Sequence, residues 1–165
     1  MINNQVNKCS RAAALIIHDQ SLLLVYHKKP SCAYYVFPGG TVEQNENPAT
    51  AAIRELHEET SIHAKAGQLL YHIHITDGST SKDEYFFQCT YLSGTPALDP
   101  HSIELTRMAT GTDLYEPQWV QIDQLENMLI YPLEIRDWLL QDLKNGFNGS
   151  AKEATFIKSS LRQSL

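Results

Sequence analysis

The stretch Gly39–Ile62, reading GGTVEQNENPATAAIRELHEETSI, constrains this chain more than any other. Glu55, Glu58 and Glu59 stand at i, i+3 and i+4. A helix turning ~100° per residue places all three on one face, within roughly 100° of arc. Like charges at that spacing repel one another and destabilise an isolated helix. A surface that needed only solubility would intersperse lysines. Crowded carboxylates point instead to a hard cation, because oxygen ligands on a rigid scaffold suit Mg²⁺ or Mn²⁺.

The neighbouring residues spell out a helix. Asn47 is a good N-cap, and Pro48 suits the first helical position, where no N–H is needed. Ala49, Ala52, Ile53, Leu56 and Thr60 then form a stripe at helical spacing that predicts a core-facing side. Arg54 lies four residues before Glu58, within reach of that carboxylate or a neighbour. Pro38-Gly39-Gly40 comes shortly before the helix, where glycines allow a tight turn and expose main-chain oxygens.

Gly40, Glu46, Arg54, Glu55, Leu56, Glu58, Glu59 and Ile62 fall in the register of the Nudix box. That pattern is Gly, five residues, Glu, seven residues, then Arg-Glu-apolar-x-Glu-Glu-x-Gly-apolar. The stretch therefore resembles a Nudix box with one departure: Ser61 stands where the last Gly would allow a left-handed turn. The resemblance extends, more loosely, over residues 11–144. It implies an α/β (α+β) fold, an α/β/α sandwich with a mixed, curved β-sheet between the box helix and a C-terminal helix.

The resemblance also implies an activity, hydrolysis of a nucleoside diphosphate linked to another group, with Mg²⁺ or Mn²⁺ as cofactor. Carried over position by position, Glu55, Glu58 and Glu59 are the metal-binding carboxylates. The main-chain carbonyl of Gly40 or Gly39 is a further ligand, and Arg54 orients the glutamates. Glu46 acts through water or by stabilising the loop. Some relatives draw their general base from a distant loop; by position Glu116 is the candidate here, with Glu104 and Asp113 behind it. The substrate-binding candidates are Tyr35, which would stack on a base, with Arg11, Lys28 and Gly39.

Markers of several subtypes are missing: no proline occurs between Ile62 and Pro96, as ADP-ribose hydrolases would require. A nucleoside triphosphate or modified nucleotide is the default substrate, and ADP-ribose or a nucleotide sugar the alternative. A nucleotide sensor without catalysis is a rival, but such domains commonly lose box glutamates that this chain keeps. The isomerase branch of the fold needs a catalytic cysteine, and only Cys32 lies near the box.

At 165 residues the chain is long enough for one domain with a proper core, and the sequence predicts a single domain over 1–165, its core at about 11–144. A net charge of −6 argues against binding a nucleic acid polymer, which needs a basic surface. A small anionic substrate remains compatible, because a bound metal reverses the local field. Cys9, Cys32 and Cys89 are odd in number and widely spaced, as expected of reduced thiols in a cytoplasmic protein. No signal peptide or membrane span is expected. Dimeric relatives make a homodimer the oligomer to test for.

In chain order, residues 1–8 are expected to be loose. Arg11–His18 and Ser21–His27 predict two buried strands joined by a hairpin at His18-Asp19-Gln20. His27-Lys28-Lys29 would give a cationic rim, and Tyr34, Tyr35 and Phe37 an aromatic approach to the glycines. Gln68–Thr76 and Glu84–Leu92 predict strands, with His72 and His74 on a polar face lacking an evident third zinc ligand. Residues 93–115 form a long loop in which Ile103–Met108 could extend a strand. A late strand at Glu116–Ile122, a short helix from Asp123 and a helix over Pro132–Lys144 complete the core. Residues 146–165 are expected to be a weakly ordered tail.

Overall fold

The computed structural model describes residues 8–100, 103–109, 111, 113–147 and 149–158; the N-terminal segment 1–7 lies outside them. Two strands begin the fold, β1 (Lys8–His18) and β2 (Ser21–Lys29). The two-residue turn between them, Asp19-Gln20, has φ of 46° and 59°, the left-handed pair that matches strand twist in a tight hairpin. β3 (Cys32–Val36) and β4 (Gly39–Thr41) follow, then α1 (Pro48–Thr60). β5 (His63–Asp77) and β6 (Thr80–Ser93) form a long hairpin. α2 (Ile103–Ala109), β7 (Leu114–Gln121), a 3₁₀ turn (Ile122–Asn127), β8 (Ile130–Tyr131), α3 (Leu133–Asn145) and β9 (Lys152–Ile157) complete the described elements.

The strands join in one mixed sheet in the order β8-β3-β2-β1-β6-β5-β9, with β4 on β1 and β7 on β2. Pairs β1/β6, β3/β8 and β5/β9 are parallel. The first strand explains the layering. Ala12–Ile16 and Leu22–Val25 are almost wholly inaccessible, because one face of the sheet carries α1 and the other α3. Ala12, Ala14 and Ile16 pack with Ala51, Ala52 and Leu56 of α1. Ala13 and Leu15 face the other way, into a core with Phe37, Tyr71, Phe86, Ile135 and Leu139. Side chains alternate along a strand, so a strand covered on both faces reads as a continuous apolar run.

β1 and β2 pair only at their hairpin end, through Ile17↔Leu22 and His18↔Ser21. Further along, β1 pairs with β4 instead (Arg11↔Thr41 to Ala13↔Gly39), while β2 stays with β3 and β7. The sheet splits there, and Phe37-Pro38-Gly39 crosses the split. Gly39 passes so close to β1 that a Cβ on it would lie 2.3 Å from the Ala12 carbonyl oxygen and 2.5 Å from Ala13 Cα. No side chain fits.

α1 forms as its sequence requires. The Asn47 side chain accepts from Ala49 N–H at 2.8 Å, and Pro48 opens the helix. The buried stripe is Ala51, Ala52, Leu56 and Thr60, with Ala51 in the place that spacing gave to Ala49. Ser61 closes the helix with φ 57° and ψ 15°, and its N–H donates to His57 O at 2.8 Å. The left-handed turn is thus made without glycine.

Two expectations need correction. Ile103–Ala109 is a helix, not an extension of a strand; Glu104, Leu105, Met108 and Ala109 are good helix formers. The segment after Gly146 is not a ragged tail as far as it is described, because β9 adds to the sheet edge with Tyr71↔Lys152 through Thr76↔Ile157. Side chains fasten it: Asp142 of α3 accepts from Tyr71 OH at 2.8 Å and from Lys152 Nζ at 2.6 Å. Among the described residues no helix is long and apolar enough to cross a membrane.

Two stability predictions follow from these contacts. A non-glycine residue in the left-handed region carries a cost of roughly 1 kcal/mol, so Ser61→Gly should raise the unfolding free energy by about that amount, read as a higher urea midpoint. An unchanged or lowered midpoint would show that the Ser61 side chain contributes something that offsets the strain. Asp142→Ala strands the buried Tyr71 hydroxyl and should cost about 1–3 kcal/mol, read as a lower urea midpoint at unchanged slope; wild-type stability would mean that β9 and α3 are held by apolar packing alone.

Candidate active site

The box carboxylates gather where the sheet splits, at the C-terminal half of α1. Arg54 organises them. Its Nε donates to Glu46 Oε1 at 3.0 Å and its Nη2 to Glu46 Oε2 at 2.9 Å, a bidentate pair. Nη2 also donates to the Thr41 carbonyl at 3.0 Å. Nη1 donates to Glu55 Oε1 at 2.9 Å and lies 3.5 Å from Glu58 Oε1. One guanidinium therefore clamps β4, the loop after it and two residues of the helix face. Its contact with Glu46 holds that carboxyl below the ordinary range, and Glu46 in turn pushes the guanidinium further up.

Glu59 points the other way along the same face. Its Oε2 accepts from Gly39 N–H at 2.8 Å. Burial pushes its carboxyl up to about 7; Glu104 and Glu55 add to the rise, while Arg11 and the Gly39 N–H act against it. Burial also raises Glu55, against the opposing pull of Arg54. Gly40 makes room for that group: a Cβ there would lie 2.3 Å from Glu55 Cδ and Oε2. Arg11 completes this corner, its Nη2 donating to the Phe37 and Gly39 carbonyls at 3.0 Å each.

The end of α1 is met by residues that follow β6. Ala97 N–H donates to Thr60 O at 3.0 Å and Asp99 N–H to Glu58 O at 3.3 Å, satisfying carbonyls at the end of α1 that the helix leaves open. Gly94 lies against Ser61, where a Cβ would be 2.6 Å from its carbonyl oxygen. Residues 94–99 are held against the end of α1 by these contacts, and the Glu104 charge on α2 helps to raise the Glu59 carboxyl.

Glu116 stands on β7. It is exposed there, opposite Tyr26, which is itself opposite Tyr35 on β3. The Tyr26 and Tyr35 rings are 5.1 Å apart. Burial raises the Tyr35 phenol, with Tyr26 and Glu116 adding to it. Lys28 is exposed at the end of β2, beside an open groove lined also by Lys29, Pro30, Met108, Gly111, Asp113 and Leu114. His72 and His74 have a shared partner that spacing along one strand could not show: His72 Nε2 and His74 Nδ1 each lie 2.9 Å from the same oxygen, Oδ1 of buried Asp83.

The chemistry of the box donor set, several carboxylate oxygens with main-chain carbonyls beside them, fits a hard divalent cation. Among the described residues, no three His, Cys, Asp or Glu side chains already converge on one point. Glu55 and Glu58 are turned to Arg54, and Glu59 to Gly39. The guanidinium is the counter-charge of this arrangement.

A family model described as NUDIX domain matches residues 8–139. Over 66 residues the chain is 36% identical to a Lactococcus lactis subsp. cremoris protein named "Probable DHNTP pyrophosphohydrolase", a match covering 40% of this chain and 39% of that relative. The matched stretch thus spans about two fifths of the relative's length. The solution structure of the E. coli ORF135 protein is similar at a TM-score of 0.64 and 20% identity, covering 84% of this chain and 93% of that one. A MutT protein from Bacillus halodurans has the same TM-score at 16% identity, with 94% and 95% covered. These two likenesses speak for the fold. With the family model spanning most of the chain and the box residues gathered at the split of the sheet, this chain belongs to the Nudix family.

Proposed function

We propose that this protein is a divalent-cation-dependent hydrolase that cleaves the diphosphate linkage of a nucleoside triphosphate or modified nucleotide. The observation that carries this reading is the gathering of Glu55 and Glu58 at Arg54 and of Glu59 at Gly39. A sensor domain would have no use for so many repelling carboxylates. The relative named as a DHNTP pyrophosphohydrolase supports a pyrophosphate-releasing reaction.

Glu55, Glu58 and Glu59 would hold Mg²⁺ or Mn²⁺, with the Gly39 or Gly40 carbonyl as a further ligand. Bound there, the cation neutralises the diphosphate oxygens and acidifies a water. The chain's own residues do the rest. Arg54 positions Glu55 and fixes the loop through Glu46. Arg11 holds the Phe37–Gly39 crossing in place and adds positive charge beside the phosphates. A carboxylate outside the box would take the proton of the attacking water, Glu104, whose charge helps to raise the Glu59 carboxyl, or Glu116.

Incubation with canonical and oxidised nucleoside triphosphates, ADP-ribose and nucleotide sugars tests the reading, with products separated by chromatography. Turnover should require Mg²⁺ or Mn²⁺ and stop with EDTA. Glu59→Gln should lower kcat by two or more orders of magnitude while leaving the circular dichroism spectrum unchanged. Glu104→Gln should lower kcat with little change in KM. A folded Glu59→Gln variant with wild-type turnover would remove the metal-site assignment, and binding without turnover in wild-type protein would make the domain a sensor.

A further inference from the structure

Glu58 and Glu59 sit where a helix holds its shape least well. Both lie in the last turn of α1, which ends at Thr60. The helix dipole has its negative pole there, so carboxylates at that end are disfavoured. Repulsion among Glu55, Glu58 and Glu59 adds to the cost. Ser61 then closes the helix at φ 57°, without the freedom of a glycine. Such a turn frays when left to itself. A divalent cation nevertheless needs the three carboxylates presented together.

Support comes from outside the helix. After β6 the chain turns back over the end of α1. There Ala97 N–H donates to Thr60 O at 3.0 Å and Asp99 N–H to Glu58 O at 3.3 Å. One of these carbonyls belongs to Glu58 itself, and the other follows Glu59 directly. N–H groups placed there also offset the negative pole of the helix. Gly94 sets the approach, since a Cβ on it would lie 2.6 Å from Ser61 O and 3.2 Å from Ile62 Cα. Its φ of 111° is open to glycine and strained for other residues.

The segment is itself moored to the sheet. The Tyr91 hydroxyl donates to Gly94 O at 2.9 Å. The Tyr91 ring stacks on His18 of β1 with centroids 4.2 Å apart, and meets Trp119 of β7 edge-on at 5.8 Å.

We propose that residues 94–99, moored by Tyr91, form a strap that positions Glu58 and Glu59 for the divalent cation. Tyr91 is a positioning residue: it acts through Gly94, not by contact with the cation. Without the strap the last turn of α1 populates frayed states that cannot bind. Apparent affinity then falls in proportion to the competent fraction.

This inference rests on the cation-dependent hydrolase reading, and the experiment separates the two. Mn²⁺ affinity is measured by titration calorimetry, and exchange of the α1 amides by hydrogen–deuterium mass spectrometry. The variants are Gly94→Ala, Ala97→Pro, Tyr91→Phe, Glu58→Gln and Asp142→Ala. Ala97→Pro deletes one N–H donor, and Gly94→Ala forces the strap off Ser61. Tyr91→Phe removes only a hydroxyl, which keeps the test in hand should the backbone variants not fold. Asp142→Ala destabilises the protein at β9 and α3, away from the strap. Gly94→Ala and Ala97→Pro should bind Mn²⁺ roughly 3- to 10-fold more weakly, and Tyr91→Phe about twofold. All three should exchange faster than wild type at residues 58–62, while Asp142→Ala keeps wild-type affinity. Faster exchange there with unchanged affinity would make the strap a structural brace and overturn the proposal. Equal weakening in Asp142→Ala would overturn it too, since general loss of stability would explain both. Binding that Glu58→Gln weakens but the strap variants do not would remove this inference and leave the cation site standing. A wild type that binds no Mn²⁺, alone or with a nucleotide, would remove both.

Discussion

The Arg54 guanidinium is the interaction on which the rest of the site depends. Glu55 and Glu58 repel each other along one helix face, and both are within 3.5 Å of Arg54 Nη1. The same group grips Glu46 with two bonds and the Thr41 carbonyl with a third. Lysine, a point charge on a flexible stem, could not span β4, the loop and the helix at once. The geometry of the loop, and with it the place of Gly39 and Gly40 against the carboxylates, follows from this planar fork.

The second constraint is the split between β1 and β2. Because β1 leaves β2 after the hairpin and pairs with β4, the chain between β3 and β4 must cross the gap. Only glycine fits at position 39, pressed against Ala12 and Ala13. The crossing aims a main-chain N–H at Glu59 and carbonyls at Arg11. Backbone and side-chain charges therefore meet where neither α1 nor the sheet alone could bring them together. Ala97 and Asp99 close the arrangement at the end of α1 by donating to its open carbonyls.

Local grammar made much of this legible in the sequence. The N-cap Asn47, the apolar run of β1 and the spacing of the glutamates each act through near neighbours, and each took its expected form. Contacts set by tertiary context were not legible. β9 carries no pattern strong enough to announce a strand; it forms because the β5 edge is there to pair with it. Ile103–Ala109 is short and ambiguous, and it packs against β7, a strand distant from it in pattern. The His72–Asp83–His74 contact could have been derived: counting back from the Gly78-Ser79 turn, Asp77↔Thr80 puts His74 opposite Asp83. Strand register, which chain position could not give, sets Glu116 opposite Tyr26.

The claim that the crowded glutamates exist to hold a hard cation is tested most directly by titrating Mn²⁺ into the protein and following free Mn²⁺ by electron paramagnetic resonance, for wild type and Glu58→Gln. Saturable binding by wild type, weakened at least tenfold in a folded Glu58→Gln variant, is the predicted result. Equal binding by both proteins, or none by either in the presence of a nucleotide, would contradict it.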